Sequence, residues 1–165
     1  MSYHIHWHEG LFLQPHHLQR LQRSVFAEAA KTRQLMGSYP TGIVDAQLSS
    51  DELANFRLVF DHLRVVMPSG LEVDFPGNAD LPSFDLKTLF TTGGTNFLVS
   101  LAVPLWQAQR ANAFEMGVPA DVRVKLPYKP FESTVVDENT GENPKPVIHR
   151  RLNARLVTEI GRAHV

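Results

Sequence analysis

Residues 3–8 alternate apolar and polar, with Tyr3, Ile5 and Trp7 on one side and His4, His6 and His8 on the other. A period of two predicts a half-buried strand. Glu9-Gly10 ends it, and Leu11-Phe12-Leu13 forms a short apolar run before Gln14-Pro15. Proline at a first helical position predicts a helix from Pro15, with Gln14 held extended by the ring that follows. Nothing interrupts that helix before Met36, and Gly37 supplies a stop. At 100° per residue Leu18, Leu21, Val25, Ala29 and Met36 share a narrow seam, while Arg20, Arg23 and Lys31 lie on the back. Such a helix lies against one surface, either its own sheet or a partner.

Beyond Gly37 the pattern becomes short strands with turn residues between them. Residues 40–48 read as a linker and a short strand, and Ser49-x-x-Glu52 is a capping-box pattern for one helical turn through Asn55. Strand-like runs cover 56–60, 63–67 and 71–75, with Pro68-Ser69-Gly70 as the turn before the last. Residues 81–89 read as a loop or helical turn, 95–105 as a core strand, and 120–126 alternates again. Residues 131–136 and 147–157 flank a polar stretch and predict a hairpin with a long, mobile tip. The fold class expected is mainly β: an antiparallel β-sandwich with one prominent N-terminal α-helix.

Composition narrows the function. The 165 residues carry 16 basic and 17 acidic side chains, 43% hydrophobic residues and no cysteine. That excludes wholesale disorder, thiol nucleophiles and cysteine zinc sites. A net charge of −1, with no aromatics interleaved on the basic helix back, argues against nucleic acid. The most apolar stretch, residues 97–106, is half the ~20 residues of a membrane helix, so no membrane insertion is expected. The opening residues lack a basic stretch and an apolar run, so no signal peptide and a cytoplasmic location are expected.

Candidate chemistry is sparse. His4, His6 and His8 could supply two ligands to a metal from one strand face, since i and i+2 side chains lie roughly 7 Å apart. His16 and His17 sit where a helix dipole disfavours the imidazolium, and packing or hydrogen bonding suits them better than catalysis. The acidic residues are scattered near turns, and Gly93-Gly94 lacks the Lys-Ser/Thr of a phosphate loop. No catalytic constellation and no cofactor motif emerges. What stands out is the corner at residues 7–19, where aromatics, leucines, a glycine turn and a proline start are packed together.

That corner, Trp7-x-Glu9-Gly10-Leu11-Phe12-Leu13-x-Pro15-x-His17-Leu18-Gln19, resembles the N-terminal signature of the TssK family of type VI secretion baseplate subunits. Leu18 stands where that family usually has Phe, and Ser69 stands in place of Asp in its Pro-Asp-Gly turn. Leu81-Pro82-x-Phe84-Asp85-Leu86 and Leu101-Ala102-Val103-Pro104-Leu105 resemble family segments in the expected order.

The resemblance implies a non-enzymatic assembly module, the β-sandwich shoulder of a trimeric cytoplasmic protein. It implies docking on wedge proteins of the TssF and TssG kind, and contact with membrane-complex proteins of the TssL and TssM kind through a further C-terminal part. Trp7, Leu11, Phe12 and Leu13 would anchor the corner, with Glu9 and His17 in the same motif. Gly10 and Pro15 would set its geometry, and Leu18, Leu21, Val25 and Ala29 would pack against sheet or neighbour. Two rivals stay open: a metal-dependent β-sandwich enzyme using His4, His6 and a distant third ligand, and a phage-tail or receptor-binding module. The ending from Ile160 to Val165 resembles the in-frame translation of a sequencing adapter. Residues 1–158 are therefore expected to be the shoulder domain of a longer protein, and 159–165 a non-native tail.

Overall fold

The computed structural model describes residues 4–91, 96–118 and 125–158. In chain order the elements are α1 (Pro15–Met36), β1 (Gly42–Leu48), α2 (Ser50–Ala54), β2 (Arg57–Leu58), β3 (Phe60–Val66), β4 (Glu72–Phe75) and β5 (Ala79–Asp80). There follow β6 (Phe84–Asp85), α3 (Lys87–Thr91), β7 (Val99–Ala102), β8 (Tyr128–Val135), β9 (Lys145–Asn153) and β10 (Arg155–Thr158). The fold is β-rich, its sheets mainly antiparallel, with one long N-terminal helix, as the sequence pattern predicts. Among the described residues the strands sort into small sheets of order β1-β3-β4, β10-β7, β2-β6 and β5-β9-β8.

The chain forms two compact units, Met1–Val44 with Val65–Glu72, and Asp45–Arg64 with Val73–Val165. In the first, the turn 67–71 closes on itself: Gly70 N–H donates to Met67 O and Met67 N–H to Leu71 O, both at 2.8 Å. Gly70 takes φ 79°, a left-handed conformation that favours glycine. The turn packs on the C-terminal half of α1. Arg33 reaches Gly70 O at 3.0 Å and the Glu72 carboxylate at 3.6 Å.

The second unit holds most of the core, with Leu63, Val73, Ala79, Leu86, Leu89, Leu152 and Ala154 buried. Its largest feature is the β8–β9 hairpin, antiparallel from Tyr128↔Leu152 to Val135↔Lys145. Only the base of that hairpin is covered, since Leu152 and Asn153 are buried and residues 145–150 are exposed. At the base Asn153 N–H donates to Pro127 O (2.8 Å) and its side-chain amide donates to Leu126 O (2.9 Å). The backbone N–H and one side-chain N–H of this buried residue are thus each satisfied, which offsets part of the desolvation penalty. β5 pairs with β9 in parallel at Ala79↔Leu152, and β10 crosses to β7 from Arg155↔Ala102 to Thr158↔Val99.

Several expected boundaries move. Residues 4–8 form no strand despite their alternation. Alternation gives a strand its faces, but a ladder needs a neighbour's backbone, and among the described residues none pairs there. The strand expected over 95–105 is confined to Val99–Ala102. Pro104 cannot donate to a ladder, and Thr95 lies outside the described residues. Phe56 takes φ 61° and leaves only Arg57–Leu58 of the 56–60 run as β2, while β3 absorbs Phe60 and runs on through 63–66. The stretch 81–89 holds β6 and the start of α3. Residues 119–124, most of the expected 120–126 strand, and the suspected tail 159–165 lie outside the described residues.

Candidate functional site

The corner from His4 to Gln19 is an extended segment, a turn and a helix start. Gly10, at φ 80°, turns the chain, with Leu11 N–H donating to His8 O at 3.3 Å. Glu9 is exposed, and its carbonyl meets His8 Nδ1 at 2.9 Å. Leu11 is half-buried, whereas Phe12 and Leu13 project outward, Phe12 with 79% of its surface exposed. Trp7, expected on a buried strand face, is 51% exposed and lies with its ring centroid 6.4 Å from that of His17. Among the described residues no strand pairs with this segment, and the indole is covered only in part.

The helix start is built as the sequence predicts, with one addition. Gln14 is extended (φ −122°, ψ 157°) and Pro15 is the first helical residue. His17 N–H donates to Gln14 O, and Gln14 N–H donates back to His17 Nδ1, both at 3.0 Å. His17 thus stands where a capping box usually has Glu or Gln, and its ring occupies a backbone donor that would otherwise be orphaned. The contact needs a lone pair on Nδ1, hence a neutral ring with its proton on Nε2. Gly37 ends the helix in extended conformation (φ −156°), so the stop is not a left-handed cap.

None of the 22 residues of α1 is buried. Leu18, Leu21 and Val25 form the predicted seam, and all three are exposed. Together with Leu13, Pro15 and Phe26 they line an open, mainly apolar depression of about 800 Å³. Phe26 is absent from the seam that the 100° wheel draws through Leu18, Leu21 and Val25. Its 80° offset from Leu18 on that wheel is the signal that could have added it. Ala29, placed in the seam by the wheel, is exposed, while Ala30 beside it is half-buried against the 67–71 turn. The apolar side of the helix is therefore open along its N-terminal half, while its C-terminal half meets the 67–71 turn.

The histidine row does not converge. His4, His6 and His8 are exposed, and the rings of His6 and His8 tilt past one another with centroids 5.9 Å apart. Among the described residues no group of three His, Cys, Asp or Glu side chains could hold a metal ion. No helix of the described residues is long and apolar enough to cross a membrane.

The family described as "Bacterial Type VI secretion, VC_A0110, EvfL, ImpJ, VasE" matches residues 17–163. No curated protein matches the chain. Among solved structures, a TssK-TssF-TssG baseplate subcomplex of the type VI secretion system contains a chain that superposes with a TM-score of 0.83 at 24% identity, over 96% of this chain. A crystal structure of TssK superposes at 0.82 with 21% identity over 98%. A type VI baseplate complex superposes at 0.80 with 25% identity over 99%. The chain spans 51%, 36% and 51% of those three proteins.

Proposed function

The chain belongs to the bacterial type VI secretion family of ImpJ and VasE, and from that premise we propose that it is a structural baseplate module acting by docking, without chemistry of its own. Residues 1–158 are the shoulder domain of a TssK-like subunit, and the occupant of its apolar surface is a wedge protein of the TssF or TssG kind. The observation that carries this is the N-terminal half of α1. Leu13, Leu18, Leu21, Val25 and Phe26 lie side by side in the open. Covering a large apolar side chain is worth ~1.5–3 kcal/mol, so such a strip gains most when a partner covers it. The choice of occupant is supported by the fold shared with a chain of a TssK-TssF-TssG subcomplex.

On this reading Trp7, Leu11, Phe12 and Leu13 continue the contact surface from the helix onto the bend. Glu9, Gly10, Pro15 and His17 hold the angle at which it is presented. The subunit trimerises in its full-length form and meets TssL- and TssM-like proteins through the part that this chain does not span, at the cytoplasmic side of the inner membrane. The test is co-purification with TssF and TssG from the same system, comparing wild type with Leu21→Asp/Val25→Asp. Both positions are exposed, so the variant is expected to keep its fold by circular dichroism and to bind at least tenfold more weakly. Unchanged binding would overturn the reading. So would intact wedge binding with a lost oligomer, which would assign the strip to self-association.

A further inference from the structure

Away from α1, one imidazole spans three strands of the β1-β3-β4 sheet. His62 on β3 places Nδ1 2.9 Å from Asp45 Oδ2 on β1 and Nε2 3.4 Å from Asp74 Oδ1 on β4. A neutral imidazole has one donor and one acceptor, whereas the imidazolium donates from both nitrogens. With two protons both contacts run from donor to carboxylate. With one, a lone pair faces a carboxylate and that contact turns repulsive. We infer that His62, Asp45 and Asp74 form a proton-dependent clasp that fastens the edge strand β1 to its sheet in acid and loosens it in base.

β1 is where such a clasp has an effect. It is an edge strand, and each of its seven residues is exposed, so packing contributes little to holding it. Asp45 comes from β1 and Asp74 from β4. By strand alternation Arg64 shares the ring's face of β3, and Glu72 shares Asp74's face of β4, where Arg33 already engages it. Asp74 is fixed in turn, its N–H donating to Asn78 Oδ1 at 2.8 Å. The sign follows from the ring: the clasp is closed while both nitrogens carry a proton and opens when one proton leaves, since a bare nitrogen then faces a carboxylate.

The test is amide exchange of β1 in the intact chain at about pH 5.5 and about pH 8.5, corrected for the intrinsic pH dependence of exchange. Two half-exposed contacts predict that wild-type protection of β1 falls about two- to tenfold between those conditions. His62→Gln, which carries no titrating ring, is expected to remove that fall. An equal fall in wild type and variant would overturn the inference. Should His62→Gln not fold, Asp45→Asn keeps the ring and deletes one carboxylate. It is expected to shrink the fall, and an unchanged fall would be equally fatal.

Discussion

Gly70 stands so close to Ala30 that a Cβ built on the glycine would lie 2.5 Å from the alanine Cβ and 3.4 Å from its Cα. The contact is made between a turn of the β3–β4 hairpin and the C-terminal half of α1. Arg33, one helical turn beyond Ala30, closes it by donating to the Gly70 carbonyl. Small residues on both sides let turn and helix approach backbone to backbone.

Gly70→Ala is accordingly expected to be costly for two independent reasons. The residue sits at φ 79°, and its new methyl would collide with a helix rather than with a flexible side-chain end. Left-handed strain and overpacking each cost about 1–3 kcal/mol. Urea unfolding should show a loss of about 2–4 kcal/mol, and a loss below about 0.5 kcal/mol would mean that the close approach is not made in solution.

His17 offers a test of the helix start. His17→Ala removes the acceptor for Gln14 N–H and should cost about 0.5–2 kcal/mol of stability, the usual worth of a cap. His17→Glu restores the ordinary capping-box acceptor and is expected to recover most of it. Thermal melts of the two variants separate a capping role from mere ring packing against Trp7, which Glu would not rescue.

Phe12 and Leu63 should behave oppositely. Leu63 is 3% exposed in the core, and Leu63→Ala should destabilise by about 2–5 kcal/mol. Phe12 is 79% exposed, and Phe12→Ala should change stability by no more than about 0.5 kcal/mol while weakening wedge binding. Strong destabilisation by Phe12→Ala would make the bend a core element and remove its docking role.

The tip of the β8–β9 hairpin has its own acid sensitivity. The Asp137 carboxylate accepts Asn139 N–H at 2.8 Å and Thr140 N–H at 3.2 Å, which holds its pKa below the usual aspartate value. A depressed carboxylate stabilises above its unfolded pKa and loses that contribution as pH falls through the folded one. The Asn139 and Thr140 amide signals should therefore titrate together, with a midpoint below that of a free aspartate. In Asp137→Asn that titration should vanish.

Much of α1 was legible from residue order alone. Pro15 can only begin a helix, no breaker follows before Gly37, and the 3.6-residue period selects Leu18, Leu21 and Val25 for one side. These are local properties of backbone and spacing. The β8–β9 hairpin was readable for the same reason, its two apolar runs lying either side of a polar turn.

Residues 4–8 mark where such reasoning stops. Their alternation suits a strand, yet a strand exists only when another backbone lies alongside to accept and donate, and no local pattern supplies one. Nor could residue order pair His62 with Asp45 and Asp74, or bring Gly70 against Ala30, because strand order and helix docking set those distances. By itself the sequence determined which segments are helix or hairpin and which side of α1 is apolar, since torsional preference and periodicity act within a few residues. Only the tertiary structure decided that this apolar side faces outward, because burial depends on which distant segments reach a surface first, and here the 67–71 turn reaches the other end of the helix.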